Sequence, residues 1–141
     1  MAVAKRFEGL IDAEDLRHRL TALTAEGADG GNPAVRAKAL AILKEARLSA
    51  RATIQDLLVA DKRGVLCAER LSHVQDELIR VIYDFAVSHV YPVKNPSSAE
   101  RMSIAAVGGY GRATLAPGSD IDLLFILPYK QTPWGESVVE Y

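Results

Sequence analysis

The stretch Gly108-Gly109-Tyr110-Gly111-Arg112, followed after a short spacer by Pro117-Gly118-Ser119-Asp120-Ile121-Asp122-Leu123-Leu124-Phe125-Ile126-Leu127, decides how this chain is read. The residues just before it, Arg101 to Val107, carry Met102, Ile104 and Val107 among few charges and read as a strand. An apolar strand running into glycines is the pattern of a loop whose backbone must approach something closely. Glycines remove Cβ atoms that would block a phosphate, and the freed backbone N–H groups can form an anion-binding concavity. Arg112 adds a planar fork of donors suited to phosphate oxygens.

The second half of the stretch supplies opposite chemistry. Asp120 to Leu127 is apolar except for two carboxylates at its entrance. Side chains of an extended strand alternate between two faces, so Asp120 and Asp122 are expected to point the same way, about 6 to 7 Å apart. Like charges side by side are unfavourable unless a cation or hydrogen-bond donors compensate. Oxygen-only ligation without a nearby His or Cys suits Mg²⁺, or alternatively Mn²⁺, better than zinc or copper. The competing explanation is that the two aspartates cap a turn.

Upstream the pattern is helical. Leu10, Leu16, Leu20 and Leu23 lie among charges and predict a short helix over about 8–26. Glu26 to Pro33 breaks it, and Asn32 before Pro33 suits the cap and first turn of a new helix. From Ala34 to about Lys62, Val35, Leu43, Ala46, Ala50, Ile54, Leu57 and Leu58 form an apolar stripe, with Lys38, Lys44, Arg47 and Arg51 off it. Arg63 and Gly64 interrupt, and Leu71, Val74, Leu78, Val81, Ile82 and Phe85 form a second stripe ending near Tyr91 and Pro92. Two long helices with a short break predict an antiparallel hairpin, and its mixed charges read as a solvated outer face. Val93 to Ser98 reads as a polar connection, and the segment with Pro133, Trp134 and Gly135 as a loop.

The predicted fold class is therefore α+β. A helical region over 1–97 precedes the first strands of a mixed sheet over 98–141, with a spacer too short for a long crossover helix, so that the strands pair antiparallel or join through a short helical turn. The 141 residues, with 17 basic against 18 acidic side chains, give a formal charge of −1 and no global field for a polyanion; no nucleic-acid partner is expected. Met1 to Leu10 lacks the apolar core of a secretory signal, and no run approaches a membrane span. The single Cys67 reads as a small apolar residue on a helix, and a cytoplasmic protein is expected. His18, His73 and His89 have no ligand spacing.

The glycine string and the Gly118-Ser119-Asp120-Ile121-Asp122-Leu123-Leu124 string together resemble the signature of the DNA polymerase β nucleotidyltransferase superfamily. Within it, they most resemble the N-terminal part of the bacterial bifunctional PII uridylyltransferase/uridylyl-removing family, specifically over about Ile104 to Leu127. The resemblance implies that Gly108 and Gly109 contact nucleotide phosphates through their backbone, that Arg112 and Ser119 belong to the nucleotide site, and that Asp120 and Asp122 are the catalytic metal-binding pair. It implies UTP and the PII signal protein as partners, with UMP passed to a tyrosine when glutamine is scarce. The same family removes UMP through a separate HD-type hydrolase domain and senses glutamine through ACT domains, regions not seen here. A third carboxylate is expected from a later strand; Glu136 and Glu140 do not suit that role, because their stretch reads as loop. The expectation is a truncated piece of a longer enzyme, inactive or nearly so alone. Alternatives are another member such as the glutamine synthetase adenylyltransferase, or a non-catalytic helical binding module.

Overall fold

In the computed structural model, which describes residues 4–141, α1 (Ala4–Phe7) and α2 (Ala13–Ala22) lead into two long helices, α3 (Pro33–Asp61) and α4 (Gly64–Phe85). Met1 to Val3, the start of the segment read above for a secretory signal, lie outside the described residues. The helix expected over 8–26 is shorter, confined to α2. Asp12 caps α2, accepting from the Asp15 amide at 2.9 Å, and Gly9, at φ +74°, lies in the turn before it. At α3 the anticipated cap is present: the Asn32 side chain accepts from the Ala34 amide at 2.8 Å, with Pro33 in the first turn.

The break between α3 and α4 falls at Lys62 and Arg63. Lys62 takes the left-handed conformation at φ 55°, which ends α3, and Gly64 already belongs to α4. Asp61 ties the corner together. It accepts from the Arg63 amide at 2.9 Å and from buried Arg70 at 2.7 Å, and both bonds hold its carboxyl below the usual range. The two stripes meet as read: Val35, Ala50 and Ile54 of α3 join Val74, Leu78, Val81 and Phe85 of α4, with Leu16 and Leu20 of α2, in one core. Cys67 is buried in that core. Past Phe85 the helix widens into a π-turn at Ala86–Val90, closed by the Tyr91 amide on the Ala86 carbonyl at 2.8 Å.

Ser97 then caps a short turn at Ser98–Glu100 through a reciprocal capping box, which holds the Glu100 carboxyl below its ordinary range. The extended part is small: β1 (Ser103–Ala106), α5 (Gly108–Gly111), β2 (Leu123–Ile126) and α6 (Pro133–Glu140). β1 and β2 pair antiparallel, with Ser103 opposite Ile126 and Ala106 opposite Leu123. This is the α+β architecture expected, with a short helical turn between the strands. The segment around Trp134 corrects the loop reading. Thr132 caps α6, accepting from the Gly135 amide at 3.1 Å, and Pro133 occupies its first turn, where a missing N–H costs nothing. The proline and glycine that suggested a loop are start signals here. Trp134 anchors the helix by donating from Nε1 to the Tyr91 carbonyl at 2.9 Å.

Candidate functional site

The site residues gather where β1 ends and β2 begins. After Ala106 the chain coils into α5, so β1 has little backbone left to pair with anything before β2. One further bond extends the pair, from the Val107 amide to the Asp122 carbonyl at 3.1 Å. The ladder therefore starts at Leu123, and Asp120 and Asp122 stand ahead of the strand in which alternation was expected to align them. Asp122 is fixed through its backbone; Asp120 lies beyond the pairing, after a turn in which the Ser119 amide and hydroxyl both donate to the Ala116 carbonyl. Both aspartates are exposed, and among the described residues neither forms an ion pair.

The glycines divide by what surrounds them. Gly108 sits at φ +63°, and a Cβ there would lie 2.7 Å from an Asp122 carboxylate oxygen. A Cβ on Gly111 would lie 2.5 Å from the Ala106 carbonyl oxygen, so the close turn of α5 against β1 requires its absence. These two glycines answer to the protein's own packing. Gly109 is different: the nearest atom to its Cβ position is the Thr114 carbonyl oxygen at 3.9 Å, leaving open space at that point of the loop.

Within the loop the Gly111 amide donates to the Val107 carbonyl at 2.8 Å, and the Arg112 and Thr114 amides donate to the Gly109 carbonyl at 3.3 and 3.0 Å. Amides of a helix's first turn have no intrahelical acceptor, which leaves those of Gly108, Gly109 and Tyr110 without one in α5. Arg112 is exposed, and among the described residues it forms no ion pair. Arg47 and Arg51, one turn apart on α3, line a cleft with Gln75, Gly118 and Ser119. Part of the helical face read as solvated thus borders the site.

Sequence reasoning quoted Tyr110 and gave it no role. The structure buries it at 4% exposure, and its hydroxyl donates to Asp76 of α4 at 2.6 Å. Burial, then the hydrogen bond to Asp76 and its negative charge, push the Tyr110 phenol well above its ordinary value, with Arg80 opposing. Asp76 and Ser72 went unremarked because an isolated carboxylate and a hydroxyl on a charged helix carry no motif.

An exposed carboxylate, Asp122, thus stands against Gly108 beside first-turn amides that α5 leaves without an intrahelical acceptor, with exposed Arg112 following them. The Bifunctional uridylyltransferase/uridylyl-removing enzyme of Bradyrhizobium diazoefficiens is 54% identical over 116 residues, covering 82% of this chain and 12% of that protein. The protein of the same name from Bradyrhizobium sp. strain BTAi1 is 50% identical over 129 residues, 92% of this chain and 14% of that protein. The chain matches a segment of the bifunctional uridylyltransferase/uridylyl-removing enzyme family, and it spans about one seventh or less of the length of these relatives. No family model and no solved structure matches. Among the described residues no helix is long and apolar enough to cross a membrane.

Proposed function

We propose that this chain forms the nucleotide-holding part of a metal-dependent uridylyltransferase that moves UMP from UTP to a tyrosine of the PII signal protein. The observation that carries the reading is the juxtaposition at Gly108: an Asp122 carboxylate without an ion-pair partner among the described residues lies against its α-carbon, beside first-turn amides that have no acceptor within α5. In this reading the Gly108 and Gly109 amides hold phosphate oxygens, the open space at Gly109 admits them, and Arg112 and the Ser119 hydroxyl add donors. The acceptor tyrosine oxygen, losing its proton to solvent, forms a bond to the α-phosphorus; the bond from that phosphorus to the oxygen bridging it to the β-phosphorus breaks, and pyrophosphate leaves.

Asp120 and Asp122 would hold the divalent ion, Mg²⁺ or Mn²⁺. Their donor set fits a hard cation in kind: carboxylate oxygens only. In number it is sparse, since among the described residues no group of three or more His, Cys, Asp or Glu is placed to hold a metal. Such an ion, when bound, neutralises charge on the triphosphate. With two carboxylates the affinity is weak, and the 141-residue chain by itself is expected to be inactive or nearly so. We propose a cytoplasmic location; the one cysteine of this segment, Cys67, is free and buried, in keeping with a reducing compartment.

The test is label transfer from α-phosphate-labelled UTP to PII, using a full-length enzyme that carries this segment, with Asp120→Asn and Asp122→Asn as variants. Loss of transfer of about 10²-fold or more in each, with the fold intact, is the expected result. Full activity in both variants would overturn the reading; transfer by the isolated chain at the rate of the full enzyme would overturn only the expectation that the chain is inactive by itself.

A further inference from the structure

The apolar stripe of α4 accounts for only one of its faces. Val74, Leu78, Val81 and Phe85 pack into the helical core. A second face, carrying Ser72, Asp76, Ile79 and Tyr83 at spacings of three and four, turns toward the strand and loop region. Ser72 is buried at 3% exposure; its hydroxyl donates to the Ala68 carbonyl at 2.9 Å and accepts from the Leu115 amide at 3.2 Å. Asp76, one turn on, accepts from the Tyr110 hydroxyl at 2.6 Å. Below them Ile79 and Tyr83 border a cavity of about 230 Å³ with Ile104, Ala106 and Leu123 of the strands.

We propose that Ser72 and Asp76 are positioning residues that clamp the two ends of the Tyr110–Leu115 segment, so that the glycine loop presents its amides and abuts Asp122 in one fixed shape. Both partners are distant in sequence, 34 and 43 residues away, so nothing local reproduces the clamp. α4 suits the role because its opposite face is locked into the core. The loop's own hydrogen bonds are all short-range, onto the Val107, Gly109 and Tyr110 carbonyls, and Ala113 sits in the left-handed region at φ 56°, so its internal bonds do not tie it to the helical core. A part-buried bond from a phenol to a carboxylate belongs to the strong class, and the Ser72 hydroxyl leaves the Leu115 amide satisfied where burial would otherwise penalise it. The ligand class, a nucleoside triphosphate, rests on the transferase reading above; the clamp itself does not.

The experiment pairs hydrogen exchange with ligand titration on the 141-residue chain. Tyr110→Phe removes only the hydroxyl, Asp76→Ala removes the acceptor, and Asp76→Asn keeps an acceptor oxygen. Expected are amides of residues 109–115 exchanging about tenfold faster in Tyr110→Phe and Asp76→Ala, with α3 and the core face of α4 unchanged and Asp76→Asn restoring most of the protection. By NMR titration the apparent Kd for Mg-UTP rises by about the same factor in the first two variants and recovers in the third. Unchanged exchange, or faster exchange spread evenly over the whole chain, overturns the proposal; so does faster loop exchange with an unaltered Kd. If the wild-type chain shows no Mg-UTP shifts at all, exchange alone decides the clamp, and the transferase reading is decided separately by label transfer in the full-length enzyme.

Discussion

The helical part and the strand part of this chain are built to different standards of closure. In the first, Leu20, Ile54 and Val81 are fully buried and three helices share one core. In the second, two four-residue strands show one face to α4 and α6 and leave the other open, with Leu124 and Ile126 52% and 49% exposed. A two-stranded sheet is marginal in water, so its shape depends on what it leans against. The contrast places the closed core in one segment and the proposed site in the other, with α4 as the member common to both.

The largest effect that could break this contrast comes from the core. Ile54→Ala is expected to cost about 2–5 kcal/mol in urea unfolding, as buried truncations do. A cost below about 1 kcal/mol would mean the helical part is no better closed than the sheet. Next come the glycines. Gly111→Ala sets a Cβ against the Ala106 backbone and should cost about 1–3 kcal/mol. Gly108→Ala should cost about 1–2 kcal/mol for its left-handed conformation, and it pushes the Asp122 carboxylate aside. Gly109→Ala should change stability by no more than about 0.5 kcal/mol while weakening any phosphate ligand. Equal costs at all three positions would contradict the division of the loop into packed and open glycines.

A subtler expectation concerns alkaline pH. The Tyr110 phenol is raised in the folded chain, so its contribution is complete below the ordinary tyrosine value near 10 and fades as pH climbs above it. Tyr83 and Tyr141, raised mainly by burial, act in the same direction. The urea midpoint should therefore fall from about pH 10 upward, and fall less steeply in Tyr110→Phe. Identical pH profiles would remove Tyr110 from the account. Smallest is Leu124→Ser on the open face, expected within about 0.5 kcal/mol of wild type.

The helices were legible because burial imposes a period on sequence: the stripe through Val35, Ala50 and Ile54 and that through Val74, Leu78 and Val81 met as read. So was the antiparallel turn through the glycines, since a short spacer permits little else. Three things were not. The loop reading of Pro133 to Gly135 took helix-start residues for breakers, a distinction that depends on Thr132 capping in three dimensions. The strand was drawn to include Asp120 and Asp122, although pairing needs a partner and β1 had already coiled away. The clamp from Ser72 and Asp76 joins residues more than thirty positions apart through single polar atoms, which leave no period and no motif.

The central claim is that Asp120 and Asp122 form a divalent-ion site beside the glycine loop. Paramagnetic broadening of backbone resonances by Mn²⁺ tests it most directly, since even a weakly held, exchanging ion broadens the resonances of residues beside it. The account predicts broadening concentrated at residues 107–110 and 119–123 and abolished by Asp122→Asn. Broadening centred on other carboxylates, such as Asp15 or Glu45, and unaffected by that substitution would contradict it.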